Sequence, residues 1–176
     1  MKEIYKTIKD IYYPKKLDLK ERITSRGFIF NEENKFALLH ILTCDEFGVR
    51  DHYETPGGGR QSNETNIECL KREIKEELGF TIKNINEIGI IRIEYNLLNR
   101  LDKGYFYYAK IDQFVGTSKT KREKEMVKEI SWFSIDDAIK MYQTKEETLV
   151  GKMIHERDLA MLLYLKEILK DKWYYG

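Results

Sequence analysis

Residues 57–80 read Gly-Gly-Gly-Arg-Gln-Ser-Asn-Glu-Thr-Asn-Ile-Glu-Cys-Leu-Lys-Arg-Glu-Ile-Lys-Glu-Glu-Leu-Gly-Phe, directly after Pro56. From Thr65 to Leu78 the apolar positions Ile67, Leu70, Ile74 and Leu78 recur at helical spacing, which predicts an amphipathic helix with one buried stripe. Gly79 suits its C-cap. Each helical residue advances by about 100°, so Glu73, Glu76 and Glu77 share an arc that borders the stripe. Like charges at i and i+4 weaken an isolated helix by about 0.2–0.5 kcal/mol, so converging carboxylates call for a counter-charge. Hard divalent cations such as Mg²⁺ take oxygen ligands and are shared between carboxylates and phosphates. For the helix alone, a solvated face neutralised by Arg72, Lys71 and Lys75 is the better reading. The preceding Gly57, Gly58 and Gly59 reverse that balance, because a glycine-rich lead-in lets backbone groups approach a metal or phosphate closely. Pro56 and the glycines are also expected to end any strand before them.

Gly58, Glu64, Arg72, Glu73, Ile74, Glu76, Glu77, Gly79 and Phe80 match the pattern G-x5-E-x7-R-E-U-x-E-E-x-G-U, with U apolar, at every fixed position. In this the chain resembles the Nudix (MutT-like) hydrolases. With each residue type at about 6%, a chance match is on the order of 10⁻⁹ per window, so accident does not explain it. The resemblance implies an α/β fold, an α/β/α sandwich with a mixed β-sheet between helices, in which the box at 58–80 forms a loop, helix, loop unit. It implies that Glu73, Glu76 and Glu77 bind metal, with the Gly57 carbonyl as a further ligand. Glu64 would stabilise the box or reach an additional metal through water, and Arg72 would orient the acidic cluster. The implied reaction is hydrolysis of a pyrophosphate linkage with Mg²⁺, or Mn²⁺ in its place. Its substrate would be a nucleoside diphosphate-X or a nucleoside triphosphate, releasing a nucleoside monophosphate and P-X or pyrophosphate. A carboxylate must take the proton of the attacking water, and Glu77, Glu125 and Glu129 are candidates, with Glu76 adjoining.

Substrate recognition is less legible. Glu54, two residues before Pro56, could hydrogen-bond a base; Gly58, Gly59 and Arg26 could meet phosphate, as could Arg92 and Arg100. Tyr95 stands near a tyrosine of dinucleoside polyphosphate hydrolases. Tyr53, Tyr105 and Tyr107 could stack on a base, although aromatics on strands more often pack the core. His40, His52 and His155 show no ligand spacing. A non-catalytic Nudix-fold binding or regulatory module is the alternative, but such a module would have lost box carboxylates, and all are retained here.

The 176 residues suit one domain, with an N-terminal extension at 1–22 and a C-terminal helix at 149–173. Lys and Arg number 31 against 30 Asp and Glu, a balance that offers no global field for nucleic acid or anionic lipid. No stable nucleic-acid partner is expected, only a small nucleotide-type substrate. Two cysteines without paired spacing indicate neither disulfides nor zinc and fit a reducing cytoplasm. No apolar run suggests export or membrane insertion. Ile4, Ile8 and Ile11 predict a short helix over 3–12, and with the C-terminal helix this leaves room for a homodimer. Residues 23–31 and 35–43 predict a β-hairpin about a turn at Asn31–Asn34. Strands are expected at 51–55, 88–95, 105–111 and 129–133, with a turn at Asp102–Gly104, and Ser134 should cap a further helix.

Overall fold

The computed structural model describes residues 3–119, 121–144, 146 and 148–174. In chain order its elements are β1 (Glu3–Ile8), β2 (Lys20–Phe30), β3 (Phe36–Asp45), β4 (Gly48–Glu54), β5 (Gly57–Gly59), α1 (Asn66–Leu78), β6 (Phe80–Tyr95), β7 (Arg100–Phe114), α2 (Lys121–Met126), β8 (Val127–Phe133), α3 (Ile135–Gln143) and α4 (Leu149–Tyr174). Neighbouring residues on the central strands are buried on opposite faces. Phe28, Leu38 and Phe106 pack with Met153, Met161 and Leu165 of α4, whereas Ile29, Leu39 and Tyr107 pack with Leu70, Ile74 and Leu78 of α1. Strands covered on both faces read as continuous apolar runs, as in Phe28–Phe30 and Phe36–Leu39. The sheet thus lies between helical layers, the sandwich that the sequence implies.

The strands follow the order β1-β6-β7-β2-β3-β4, with β5 on β2 and β8 on β3. β1 runs parallel to β6 and β2 parallel to β7, while the other pairs are antiparallel, so the sheet is mixed. The turn at Asn31–Asn34 forms, with Asn31 Oδ1 accepting the N–H groups of Glu33 and Lys35. The hairpin it was expected to join pairs only at Phe30 and Phe36. Beyond that point β2 turns to β7 along its whole length, and β3 turns to β4 and β8.

Four further expectations are corrected. Residues 3–8 form a strand, because Ile4 and Ile8 stand four apart, a spacing that satisfies a period of two as well as a helical one; Ile8 is buried and Ile11 exposed. Asp102–Gly104 is not a turn but lies inside β7; the reversal falls at Asn96–Asn99, where Asn99 takes a positive φ of 51°. Asp102 is buried there beside Arg100 and Arg22, so its turn-like composition reflects a charge cluster. Pro56 does end β4, yet the glycines after it form the short strand β5. On α1, Ile67 is exposed and drops out of the buried stripe.

The N-terminal segment does more than add an edge strand. Asp10 accepts the N–H groups of Tyr12, Tyr13 and Asn96, while the Asn96 side-chain amide donates to the carbonyls of Asp10 and Tyr13. Tyr13 then donates its hydroxyl to the Phe47 carbonyl at 2.9 Å and packs edge-on against that ring.

Candidate active site

Helix α1 begins with a complete capping box, Thr65 and Glu68 each satisfying the other's backbone, and ends on Gly79 at φ 78°. This sets its rotation. Glu73 and Glu77 fall on the buried side with Cys69, Leu70, Ile74 and Leu78, while Glu76 stays half-exposed. Burying carboxylates is costly unless they are matched. Glu77 Oε2 accepts the Gly57 N–H at 2.8 Å, and Glu73 Oε1 accepts Arg72 Nη1 at 2.8 Å. Burial, with the Glu73 charge beside it, still pushes the Glu77 carboxyl well above the usual range, and the Gly57 N–H offsets only part. Burial also raises Glu73, against the pull of Arg72.

Arg72 is the hub of the box. Its guanidinium grips both oxygens of Glu64, at 2.5 and 3.0 Å, and reaches the Gly59 carbonyl at 3.0 Å and Glu76 Oε2 at 3.1 Å. The hydrogen bonds to Glu64, and then to Glu73, hold its pKa above even the usual guanidinium value. Glu64 also accepts the Gln61 N–H. Glu64 and Arg72 thereby tie the loop before α1 to the acidic face.

The glycines explain how the loop fits. Gly57 has φ 134°, and a Cβ there would run into the backbone of Ser25 and Arg26 on β2. A Cβ on Gly58 would stand 2.5 Å from Glu73 Oε1, and one on Gly59 would overlap the Arg22 guanidinium. Side chains at Gly58 and Gly59 would therefore crowd the site, whereas at Gly57 it is β2 that leaves no room.

Together these groups line a cavity of about 250 Å³. One part of its wall is Gly57–Gly59, Glu73 and Glu77; the rest includes Glu54, Phe47, Tyr95 and the arginines 22, 26, 50 and 100. Arg26 donates to the Thr55 carbonyl at 2.7 Å and lies 4.0 Å from Glu54. Burial alone would raise the Glu54 carboxyl, but Arg26, His52 and Arg50 hold it far below its usual value. Two carboxylates facing one cavity are thus driven apart, a pattern that separates acid from base roles. Burial and the nearby Arg100 lower the Arg22 pKa.

Of the residues named from sequence, Gly57, Gly58, Gly59, Glu73, Glu77, Glu54, Arg26, Tyr95 and Arg100 come together at this wall. Glu76 and Glu64 are joined to it through Arg72. Glu129 stands apart: it is exposed, accepts the Tyr53 hydroxyl at 3.4 Å and lies 3.5 Å from His40 Nδ1. Glu125 is exposed and does not line the cavity either. Among the described residues no three His, Cys, Asp or Glu side chains form a group that could hold a metal ion, and Arg72 holds an oxygen of both Glu73 and Glu76. Sequence reading missed Arg22, Arg50, Phe47 and Asp102. For Arg22 a signal existed, because positions 22 and 26 share one face of a strand; Phe47 and Arg50 sit about a turn and had none.

The family model that matches the chain is the NUDIX domain, over residues 20–153. Among solved structures, a NUDIX hydrolase from Nitrosomonas europaea is 19% identical with a TM-score of 0.58, over 81% of this chain and 91% of that one. A MutT NUDIX hydrolase from Burkholderia pseudomallei is 17% identical with a TM-score of 0.58, over 78% and 97%. A UDP-X diphosphatase is 17% identical with a TM-score of 0.56, over 86% and 66%. No curated protein matches the chain. No described helix is long and apolar enough to cross a membrane.

Proposed function

Because the chain belongs to the Nudix hydrolase family, whose reaction is pyrophosphate hydrolysis of nucleoside diphosphate derivatives, we propose that it cleaves a nucleoside diphosphate-X or nucleoside triphosphate. The products are a nucleoside monophosphate and P-X or pyrophosphate. The observation that carries this reading is the buried pair Glu73 and Glu77 facing a side-chain-free glycine strand and four arginines in one cavity. Both cysteines are free, and we place the reaction in the cytoplasm on that ground.

The donor set fits a hard divalent cation. Its groups are all oxygens, two carboxylates are buried side by side, and Gly58 leaves open the space beside Glu73 Oε1. Glu73, Glu76, Glu77 and the Gly57 carbonyl would hold Mg²⁺ or Mn²⁺, which when bound neutralises phosphate charge and acidifies the attacking water. Glu76 would join the set if Arg72 gave up its hydrogen bond. Glu77, buried beside Glu73 and against the Gly57 N–H, is the group suited to take the water's proton. Glu54, ionised between Arg26 and Arg50, orients the nucleotide. Arg22 and Arg26, beside the glycine strand, take the oxygens of the scissile diphosphate. Arg72 keeps the loop and the carboxylates in register.

Incubation with Mg²⁺ and a panel of nucleoside triphosphates, nucleotide sugars, ADP-ribose and dinucleoside polyphosphates in ¹⁸O water tests this. Mass spectrometry should show a nucleoside monophosphate product and label on one phosphorus only. No cleavage across the panel would favour a binding module instead.

A further inference from the structure

The cavity extends past the carboxylates to a second cluster that hydrolysis of the anhydride does not itself require. Phe47 and Tyr95 pack edge-on with centroids 5.9 Å apart. Each carries a guanidinium on its face, Arg50 at 5.8 Å from the Phe47 centroid and Arg100 at 5.2 Å from that of Tyr95. Arg50 Nη1 is fixed on Asp45 Oδ2 at 3.2 Å, yet its buried Nε has no hydrogen-bond partner among the described residues. A buried donor left without a partner is expensive, and a guanidinium braced on an aromatic ring is set up to receive a planar or tetrahedral oxyanion. The cavity wall carries four arginines against Glu54, Glu73, Glu77 and Asp102. A divalent cation at the carboxylates would offset Glu73 and Glu77 and leave four arginines against Glu54, Asp102 and the Asp45 that pairs with Arg50.

We propose that Arg50 and Arg100 form a specificity subsite for a phosphate carried beyond the scissile bond, so that the preferred substrates end in phosphate rather than in a neutral sugar. This rests on the hydrolytic reading above and narrows it to the triphosphate-like class. Cleavage of a nucleoside triphosphate by water breaks the α–β anhydride and releases pyrophosphate, whose far phosphate would be the group held here. A nucleotide sugar cleaved at the same bond releases a sugar phosphate whose far end is neutral.

The test compares kcat/KM for UTP with UDP-glucose and for GTP with GDP-mannose, each pair sharing nucleoside and scissile bond. The intact protein should prefer the triphosphate. Arg50→Met and Arg100→Met should each lower kcat/KM for the triphosphate about tenfold more than for the sugar nucleotide, the difference appearing in KM, as expected for a charge-assisted hydrogen bond. Arg50→Lys, which keeps charge but loses the fork, should fall between. Equal losses on both arms, or an unchanged ratio, would overturn the subsite. If nothing is turned over, calorimetry with inorganic tripolyphosphate and Mg²⁺ separates the two readings. Binding by the wild type that Arg50→Met abolishes supports the subsite without hydrolysis, whereas absence of binding by the wild type overturns it.

Discussion

Asp158 Oδ2 on α4 accepts the Thr55 N–H at 2.8 Å, across 103 positions of sequence. Thr55 is the last residue before Pro56 and the glycine strand, and its carbonyl is held from the other side by Arg26. Asp158 also pairs with Arg157 at 2.7 Å and accepts the Tyr142 hydroxyl at 3.3 Å, with Arg157 and Asp158 both buried. The long C-terminal helix therefore anchors the backbone that delivers the glycines to the carboxylates.

Breaking that anchor should be severe. Asp158→Ala leaves the Arg157 charge buried and unmatched, which costs about 3–5 kcal/mol and lowers Tm by roughly 10 °C or more. Thermal melts by circular dichroism check it. A Tm near that of the wild type would mean the pair contributes nothing to the fold.

Glu77→Gln should lower kcat by about 100-fold or more, as expected for loss of a charged group at the reacting centre. In a chelator the same change should stabilise the protein at pH 8. The Glu77 pKa is raised on folding, so the stability it adds is complete below the unfolded value and is lost as pH rises through the folded one. Wild-type Tm should therefore fall between mildly acidic and alkaline pH by more than the variant's, and parallel Tm curves would refute the assignment.

Gly58→Ala separates chemistry from folding. The added methyl meets the Glu73 carboxylate rather than backbone, so it displaces the side chain and leaves the strand in place. We expect kcat to drop about tenfold to 100-fold with a nearly unchanged melt. A fully active variant would show that Glu73 need not occupy this position.

Legibility in the sequence followed locality. α1, its Gly79 cap and the facing of its glutamates depend on residues within four positions of one another and were readable, Ile67 apart; so was the α3 cap at Ser134. Asp102 was misread because a buried charge beside glycine has the composition of a turn, and only its arginine neighbours reveal it. Arg50 and Phe47 gave no sign at all, since their meaning comes from Tyr95 and Arg100, which β6 and β7 bring over from the far side of the box in sequence. Asp158 sat on a helix among many charges, and nothing local marks it for Thr55.

Tyr13→Phe removes the hydroxyl that reaches the Phe47 carbonyl and keeps the ring contact. A hydrogen bond of this kind contributes about 1 kcal/mol, so KM should rise by roughly fivefold with kcat little changed. Steady-state kinetics decides it, and an unaltered KM would mean the Phe47 turn holds its shape unaided.

The linkage from β1 through Asp10 and Tyr13 to Phe47 works as a lever. Its handle is the outermost strand of the sheet, and its tip bears on the aromatic ring beneath Arg50. Through the proposed subsite, selectivity should therefore respond to changes made at a distance. Exchanging residues 6–16 should alter how firmly the arginine end of the cavity is held, though none of them lines it and the box itself is left untouched.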